Sequence, residues 1–218
     1  MRLLTYGRRG LLVELDSLDE ALRLSAELER RRPVGVTELV PGARTVLIQF
    51  DPARTGLTAL SAHLAQLTEV VERAGLLERP PTPGRDRAQA DPAVEIPVVY
   101  DGPDLDEVAR LTGLSAAEVV DRHVAASYLV AFTGFAPGFG YLSGGDAALV
   151  VPRRSTPRTR VEAGAVGLAG EFTGIYPRPG PGGWQIIGHT EAAMWDLQRT
   201  PAALLRPGVR VAFHAVTS

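Results

Sequence analysis

Between Phe132 and Trp195 the sequence gathers side chains of three chemical kinds. Phe135, Phe139, Tyr141 and Trp184 offer a rigid floor for a flat or apolar ligand. Arg153 and Arg158 can select an anionic end, and Glu171 or His189 can move a proton. The same stretch holds more than half of the 23 glycines of the chain, which fits short strands that turn often. The run Pro179-Gly180-Pro181-Gly182-Gly183 beside Arg178 reads either as a backbone nest for phosphate or as a glycine-rich turn. Metal ligation finds no pattern. The four histidines, His63, His123, His189 and His214, are far apart and form no His-x-x-x-His pair. In the acidic run Asp101, Asp104, Asp106, residues Pro103 and Leu105 stand where a calcium loop needs oxygen ligands. No Gly-x-Ser-x-Gly elbow is present to activate a serine.

Composition removes further classes. The formal charge is −2, with acids and bases interspersed, so no global field points to nucleic acid or to an anionic membrane. Cysteine is absent, which excludes disulfides and thiolate chemistry. All 23 basic residues other than histidine are arginine, so this chain supplies no Schiff base and no Walker lysine. The N-terminus lacks a signal-peptide core and no apolar run is long enough to span a bilayer, so a soluble cytoplasmic protein is expected.

The elements that must position these residues follow from periodicity. Leu3, Leu4 and Leu11 to Leu15 form short apolar runs around Gly7-Arg8-Arg9-Gly10, a strand interrupted or turned by its glycines. Leu18, Ala21, Leu22, Ser25 and Leu28 fall at helical spacing, and Arg30-Arg31-Arg32 reads as the solvated end of that helix. A hairpin is expected from Val36 to Phe50 around Pro41-Gly42. A second helix carries Leu57, Leu60, Leu64, Leu67 and Val71, stops near Gly75 and leaves His63 exposed off its apolar face. This order describes an α+β sandwich of ferredoxin-like type over residues 1–80. Residues 81–93, rich in proline and charge, read as a linker. Val94 to Tyr100 is a strand that either completes the first sheet or opens a second domain, 94–218. Two helices follow, with capping boxes at Asp104/Glu107 and Ser115/Glu118. Short strands then run from Ser127 to Phe132 and from Val209 to Val216, as in a β barrel that hides its edges.

The blocks GFAPGFGYL, PRRSTPR, AGAVGLAGEFTGIYP and PGGWQIIGHT, in this order after VPGARTVLIQFDP and VEIPVVYDGPDLDEVARLTGLSAAEVVDRHV, resemble the family called allophanate hydrolase subunit 1, also the B component of 5-oxoprolinase or the Kip sensor-kinase inhibitor family. The resemblance covers nearly the whole chain. It implies an N-terminal α+β domain followed by a cyclophilin-like β barrel. It also implies two partners, the C component (allophanate hydrolase subunit 2) and the A component, and the assembly opens the lactam of 5-oxoproline to glutamate with ATP. Within that frame, Pro137 with Phe135, Phe139, Tyr141, Arg153, Arg158 and Trp184 are the residues expected to face substrate or partner from their types, with Glu171 and His189 as the expected proton carriers. ATP belongs to the complex, no metal is expected in this chain, and part of the family name implies the alternative of an inhibitor docked on a sensor histidine kinase. The chain departs from the family pattern at Phe139-Gly140, at Gly164-Ala165-Val166 and at Gly188-His189-Thr190-Glu191, where an anion-gripping arginine is lost. A lysine-free chain cannot hold an amidase Ser-Ser-Lys machinery, so the oxoprolinase reading is preferred to allophanate hydrolysis.

Overall fold

The computed structural model describes residues 1–73 and 92–217, and the chain divides into two compact units, Met1–Arg85 and Asp86–Ser218. All but the last two residues of the expected linker, and the expected stop at Gly75, lie outside the described residues.

In the first unit, the glycine-flanked arginine pair turns one apolar run into two strands, β1 (Arg2–Tyr6) and β2 (Gly10–Glu14), with Gly7 at φ 60°. Helix α1 (Leu18–Arg30) starts where the Ser17 side chain accepts the Glu20 amide, and it buries Leu18, Ala21, Leu24 and Leu28. Strands β3 (Val36–Pro41) and β4 (Thr45–Phe50) form the expected hairpin, and α2 (Leu57–Arg73) follows. The four strands are antiparallel in the order β1-β2-β4-β3, so the N-terminal strand supplies one edge. Val13, Val46, Ile48 and Phe50 alternate toward the helices and pack with Leu60, Leu64 and Leu67 of α2 in one core.

In the second unit, β5 (Val94–Val98) settles the question left open by its sequence: it lies parallel to β13 (Arg210–Ala215) in a seven-stranded sheet. Between them come α3 (Leu105–Thr112), α4 (Ala116–Ala125), β6 (Tyr128–Thr133), β7 (Gly140–Ser143), β8 (Arg158–Val161), β9 (Ala165–Ala169), β10 (Phe172–Ile175), β11 (Gly180–Gly182) and β12 (Gln185–His189). The sheet order is β12-β9-β10-β7-β6-β13-β5, while β8 and β11 form a separate two-stranded ribbon. The two ends of the sheet meet: Val99 and His189 exchange both backbone hydrogen bonds at 2.9 Å, and the Gly102 and Asp104 amides donate to Ile187 and Ile186 at 3.2 and 2.9 Å. This turns the mixed sheet into a nearly closed barrel, which removes its exposed edges. Gly102 makes the seam tight, since a Cβ there would sit 2.3 Å from the Ile187 carbonyl carbon.

The Ser115/Glu118 capping box is formed. That at Asp104/Glu107 is not: Asp104 stands at the N-cap without a side-chain cap bond, and Glu107 pairs instead with Arg110 at 2.7 Å. The Asp104 carboxylate is drawn away by stronger, charged donors described below.

Helix α4 buries His123 completely against the barrel core. Thr173 Oγ1 donates to the Gly167 carbonyl (3.1 Å), so it accepts from His123 Nε2–H (3.0 Å), which leaves Nδ1 to accept from the Tyr100 hydroxyl (2.7 Å). Burial lowers the His123 pKa from 6.5 to about 3. The folded chain therefore binds one proton fewer than the unfolded chain between these values, and stability that is complete above pH 6.5 is lost as pH falls toward 3. The expected slope from this group is about 1.4 kcal/mol per pH unit. Urea unfolding midpoints measured across this range should show that slope in the native chain and its loss in His123→Gln.

Candidate functional site: an aromatic outer face and a groove beside it

A bulge in β6 creates the outer face. Val130 pairs with Leu142 and Phe132 with Tyr141, so Ala131 is the extra residue. Without it Val130 and Phe132 would share one face. With it Val130 enters the interior core while Phe132 stacks on Tyr141 outside, with centroids 4.4 Å apart at 17°. From there edge-to-face contacts run on: Tyr141 to Phe172 (5.7 Å) and to Phe139 (5.1 Å), Phe139 to Trp184 (5.4 Å) and to Tyr176 (5.5 Å), and Phe135 to Phe139 (5.3 Å) and to Tyr176 (5.9 Å). Such pairs add about 0.5–1.5 kcal/mol each beyond area burial. The rings therefore form a packed wall, with Phe139, Tyr176 and Trp184 buried, and not the lining of a hollow.

Phe135 is the exception, 59% exposed at the end of the wall. Its backbone has φ 64°, the only positive value at a non-glycine among the described residues. The Ala136 amide donates to the Gly134 carbonyl at 2.7 Å, closing a three-residue turn with Phe135 at its centre, the strained form of the γ-turn. The Phe139 amide then donates to Ala136 O at 2.9 Å across Pro137 and Gly138, the latter at φ 87°, as a type II turn requires. These two turns account for the sequence Gly-Phe-Ala-Pro-Gly-Phe, and Phe135 and Pro137 line an open groove of about 470 Å3 together with Trp195, Leu205 and Pro207. Trp195 is 43% exposed.

The arginines divide. Arg158 donates to both carboxylate oxygens of Asp104 at 2.7 and 2.8 Å, and Arg154 adds a bond of 2.6 Å. The Ile186 amide donates to the same buried carboxylate at 2.7 Å. Burial by itself raises the Asp104 pKa, but the Arg158 and Ile186 hydrogen bonds and the charges of Arg158 and Arg154 outweigh it and hold the carboxyl below its ordinary range. Arg158 is thus committed inside the protein and is not available to a ligand. Arg153 stays exposed, near enough to the buried Tyr176 hydroxyl to oppose electrostatically the rise in its pKa that burial causes. The run 179–183 is not a free turn: Gly180–Gly182 is strand β11, paired with β8.

The expected proton carriers do not meet. Glu171 sits exposed in the turn joining β9 to β10, lining a separate hollow of about 230 Å3 with Asp146 and Thr173. His189 lies opposite Ala165 at the other end of β9, while Phe172 lies opposite Ala169. Four residues along β9 and two strand spacings across it put them about 16 Å apart. His189 Nδ1 is 2.8 Å from Asp101 Oδ1 at the barrel seam. Among the described residues no three His, Asp or Glu side chains gather as a metal site, and no helix is long and apolar enough to cross a membrane. Phe132, Phe172 and Tyr176 join the wall without having been singled out from the sequence, because the β6 bulge and the pairing of β10 with β7 are not encoded in local pattern.

Fold and face together define a two-unit α+β chain whose second unit is a nearly closed barrel with an aromatic outer surface. The family described as carboxyltransferase domain, subdomain C and D, matches residues 1–205, and the chain belongs to that family. It is 50% identical over 127 residues to the B component of 5-oxoprolinase from Bacillus subtilis (strain 168), a match covering 57% of this chain and 53% of the relative. The chain thus spans about half the length of such relatives, in agreement with the resemblance drawn from the glycine and aromatic motifs. Among solved structures, TTHA0988 is similar with a TM-score of 0.72 and 36% identity over 96% of this chain and 40% of that one. The uncharacterized protein PH0987 from Pyrococcus horikoshii is similar with a TM-score of 0.57 and 30% identity over 100% of this chain and 98% of that one.

Removal of the Asp104 carboxylate strands two guanidinium groups. Asp104→Ala should cost about 3–5 kcal/mol of stability, read from urea unfolding, and Arg158→Ala should fall short of that because Arg154 still satisfies the carboxylate.

Proposed function

We propose that the chain is the B-like component of an ATP-dependent 5-oxoprolinase, inactive alone and completed in the cytoplasm by two partners, a C component resembling allophanate hydrolase subunit 2 and an A component. The observation that carries this reading is the 50% identity to the 5-oxoprolinase B component. In the same proposal residues 1–80 are a ferredoxin-like sandwich, 81–93 a linker and 94–218 a cyclophilin-like barrel. The sheet order β1-β2-β4-β3 supports the first name, with the edge strand coming from the N-terminus, and the Val99–His189 closure supports the last.

ATP, used by the complex, would activate the lactam carbonyl by phosphorylation, so that water adds to the acyl carbon, the lactam C–N bond breaks and phosphate is released. This chain contributes the face on which the complex assembles. Phe135 and Trp195, two exposed rings across an open groove, are the residue types that dominate protein interfaces, and Phe135, Pro137 and Arg153 are its partner- or substrate-facing residues. The buried Phe139 and Trp184, with the half-buried Tyr141 between them, hold that face rigid. Between the proton carriers, His189 is favoured over Glu171. Its Nδ1 is engaged with Asp101, which orients the ring and leaves Nε2 as the atom that can exchange a proton.

Co-expression with both partners should give 5-oxoproline-dependent release of glutamate that requires ATP, and the chain alone should give none. Phe135→Ala should weaken partner binding by at least about tenfold in a chain that stays folded, and His189→Ala should lower kcat without changing assembly. Turnover by the isolated chain, a complete reconstitution without turnover, or capture of a kinase dimerisation helix in place of the partner overturns the reading.

A further inference from the structure

The N-terminal unit contains a hollow of about 410 Å3 that the aromatic face does not involve. It lies where the end of α1, the loop after β4 and the start of α2 converge, and its polar lining is Arg31, Arg32, Arg54, Thr55 and His63. No carboxylate lines it. Its walls are built. The Asp51 carbonyl accepts the amides of Arg54 and Thr55 at 3.0 and 3.1 Å, and the Asp51 amide donates to Gly35 at 2.8 Å, tying the two loops together. Gly35, at φ 86°, lets them close, because a Cβ there would come within 2.8 Å of the Thr55 methyl.

Two features of the lining ask for an occupant. His63 reads as exposed from the sequence, yet its Nε2 is buried and without a hydrogen-bond partner; an orphaned polar atom of this kind in a native protein calls for a ligand or water. Arg54 has no ion pair or side-chain hydrogen bond among the described residues, whereas Arg31 and Arg32 are shared with Glu27 (3.2 Å) and Glu29 (2.5 Å), which stand outside the hollow. Three guanidinium groups and an imidazole N–H offer more donors than the two oxygens of a carboxylate can accept, and they suit the oxygens of a phosphoryl group. The remaining lining, Val34 and Leu60 among it, is apolar and leaves room beyond a phosphate.

We infer that this hollow is a binding site for a small phosphorylated compound, its phosphate held by Arg54 and His63 with Arg31 and Arg32 at the rim. The lining of the site comes wholly from the first unit, and its test does not depend on the proposed activity.

Inorganic phosphate and phenyl phosphate, titrated into the full chain at constant ionic strength set with chloride, are the probes. Saturable binding is expected by calorimetry, with the His63 imidazole resonances shifting along the same isotherm and phenyl phosphate binding more tightly. Arg54→Gln and His63→Gln should each weaken binding by about tenfold or more. In phosphate-free buffer both variants should unfold at the native temperature, and added phosphate should raise the Tm of the native chain alone. A response in the native chain no larger than in either variant, or no saturation at millimolar probe, overturns the inference.

Discussion

The second unit depends on one buried carboxylate. Asp104 stands at the start of α3, and its side chain takes hydrogen bonds from the Ile186 amide, Arg154 and Arg158. Its own amide donates to Ile186 O. One side chain thus joins the helix to β12, β12 to the seam of the barrel, and the arginine segment 153–158 to both. Trp184 lies two residues before the point of attachment, so the position of the aromatic wall follows from it. A buried ion pair of this kind is weak evidence for net stability, because desolvation opposes it. What it supplies is placement: two guanidinium groups and a backbone N–H can all be satisfied in only one arrangement of these segments.

That arrangement ties down two of the three arginines that the sequence offers as a ligand grip. Arg153, Arg154 and Arg158 look equivalent in the run Pro-Arg-Arg-Ser-Thr-Pro-Arg. Their roles are set by a carboxylate about fifty residues earlier in the chain, which no local pattern connects to them. The same applies to the rings. Their gathering was legible, since glycine-punctuated aromatics fit short paired strands, but their packing into a dry wall depends on the bulge at Ala131, which periodicity cannot reveal.

Where the sequence carried a period, or a cap with no distant competitor, the structure agrees. The alternation of Val46, Ile48 and Phe50, of Val211 and Phe213, and the Ser115 box all reappear, because each rests on contacts within a few residues. Failures occur where a distant group competes: Asp104 left its cap for two arginines, Gly180–Gly182 became a strand through pairing with β8, and Glu171 and His189 were separated by the length of β9. His63 was misread for a related reason. The hollow beside it is lined by the segment after α1 and the loop after β4 as well as by its own helix, and the first two are distant in sequence.

The turn at Phe135 separates what folding wants from what the surface shows. Left-handed backbone at an L-residue costs roughly 1–2 kcal/mol, and glycine would remove that penalty at once. It would also erase the ring that ends the wall at the groove. A sequence shaped by backbone ease alone would settle on the smaller residue, so the benzyl group at this position holds a strained turn through its contacts with Phe139 and Tyr176, in keeping with the proposal that the groove beside it meets a partner.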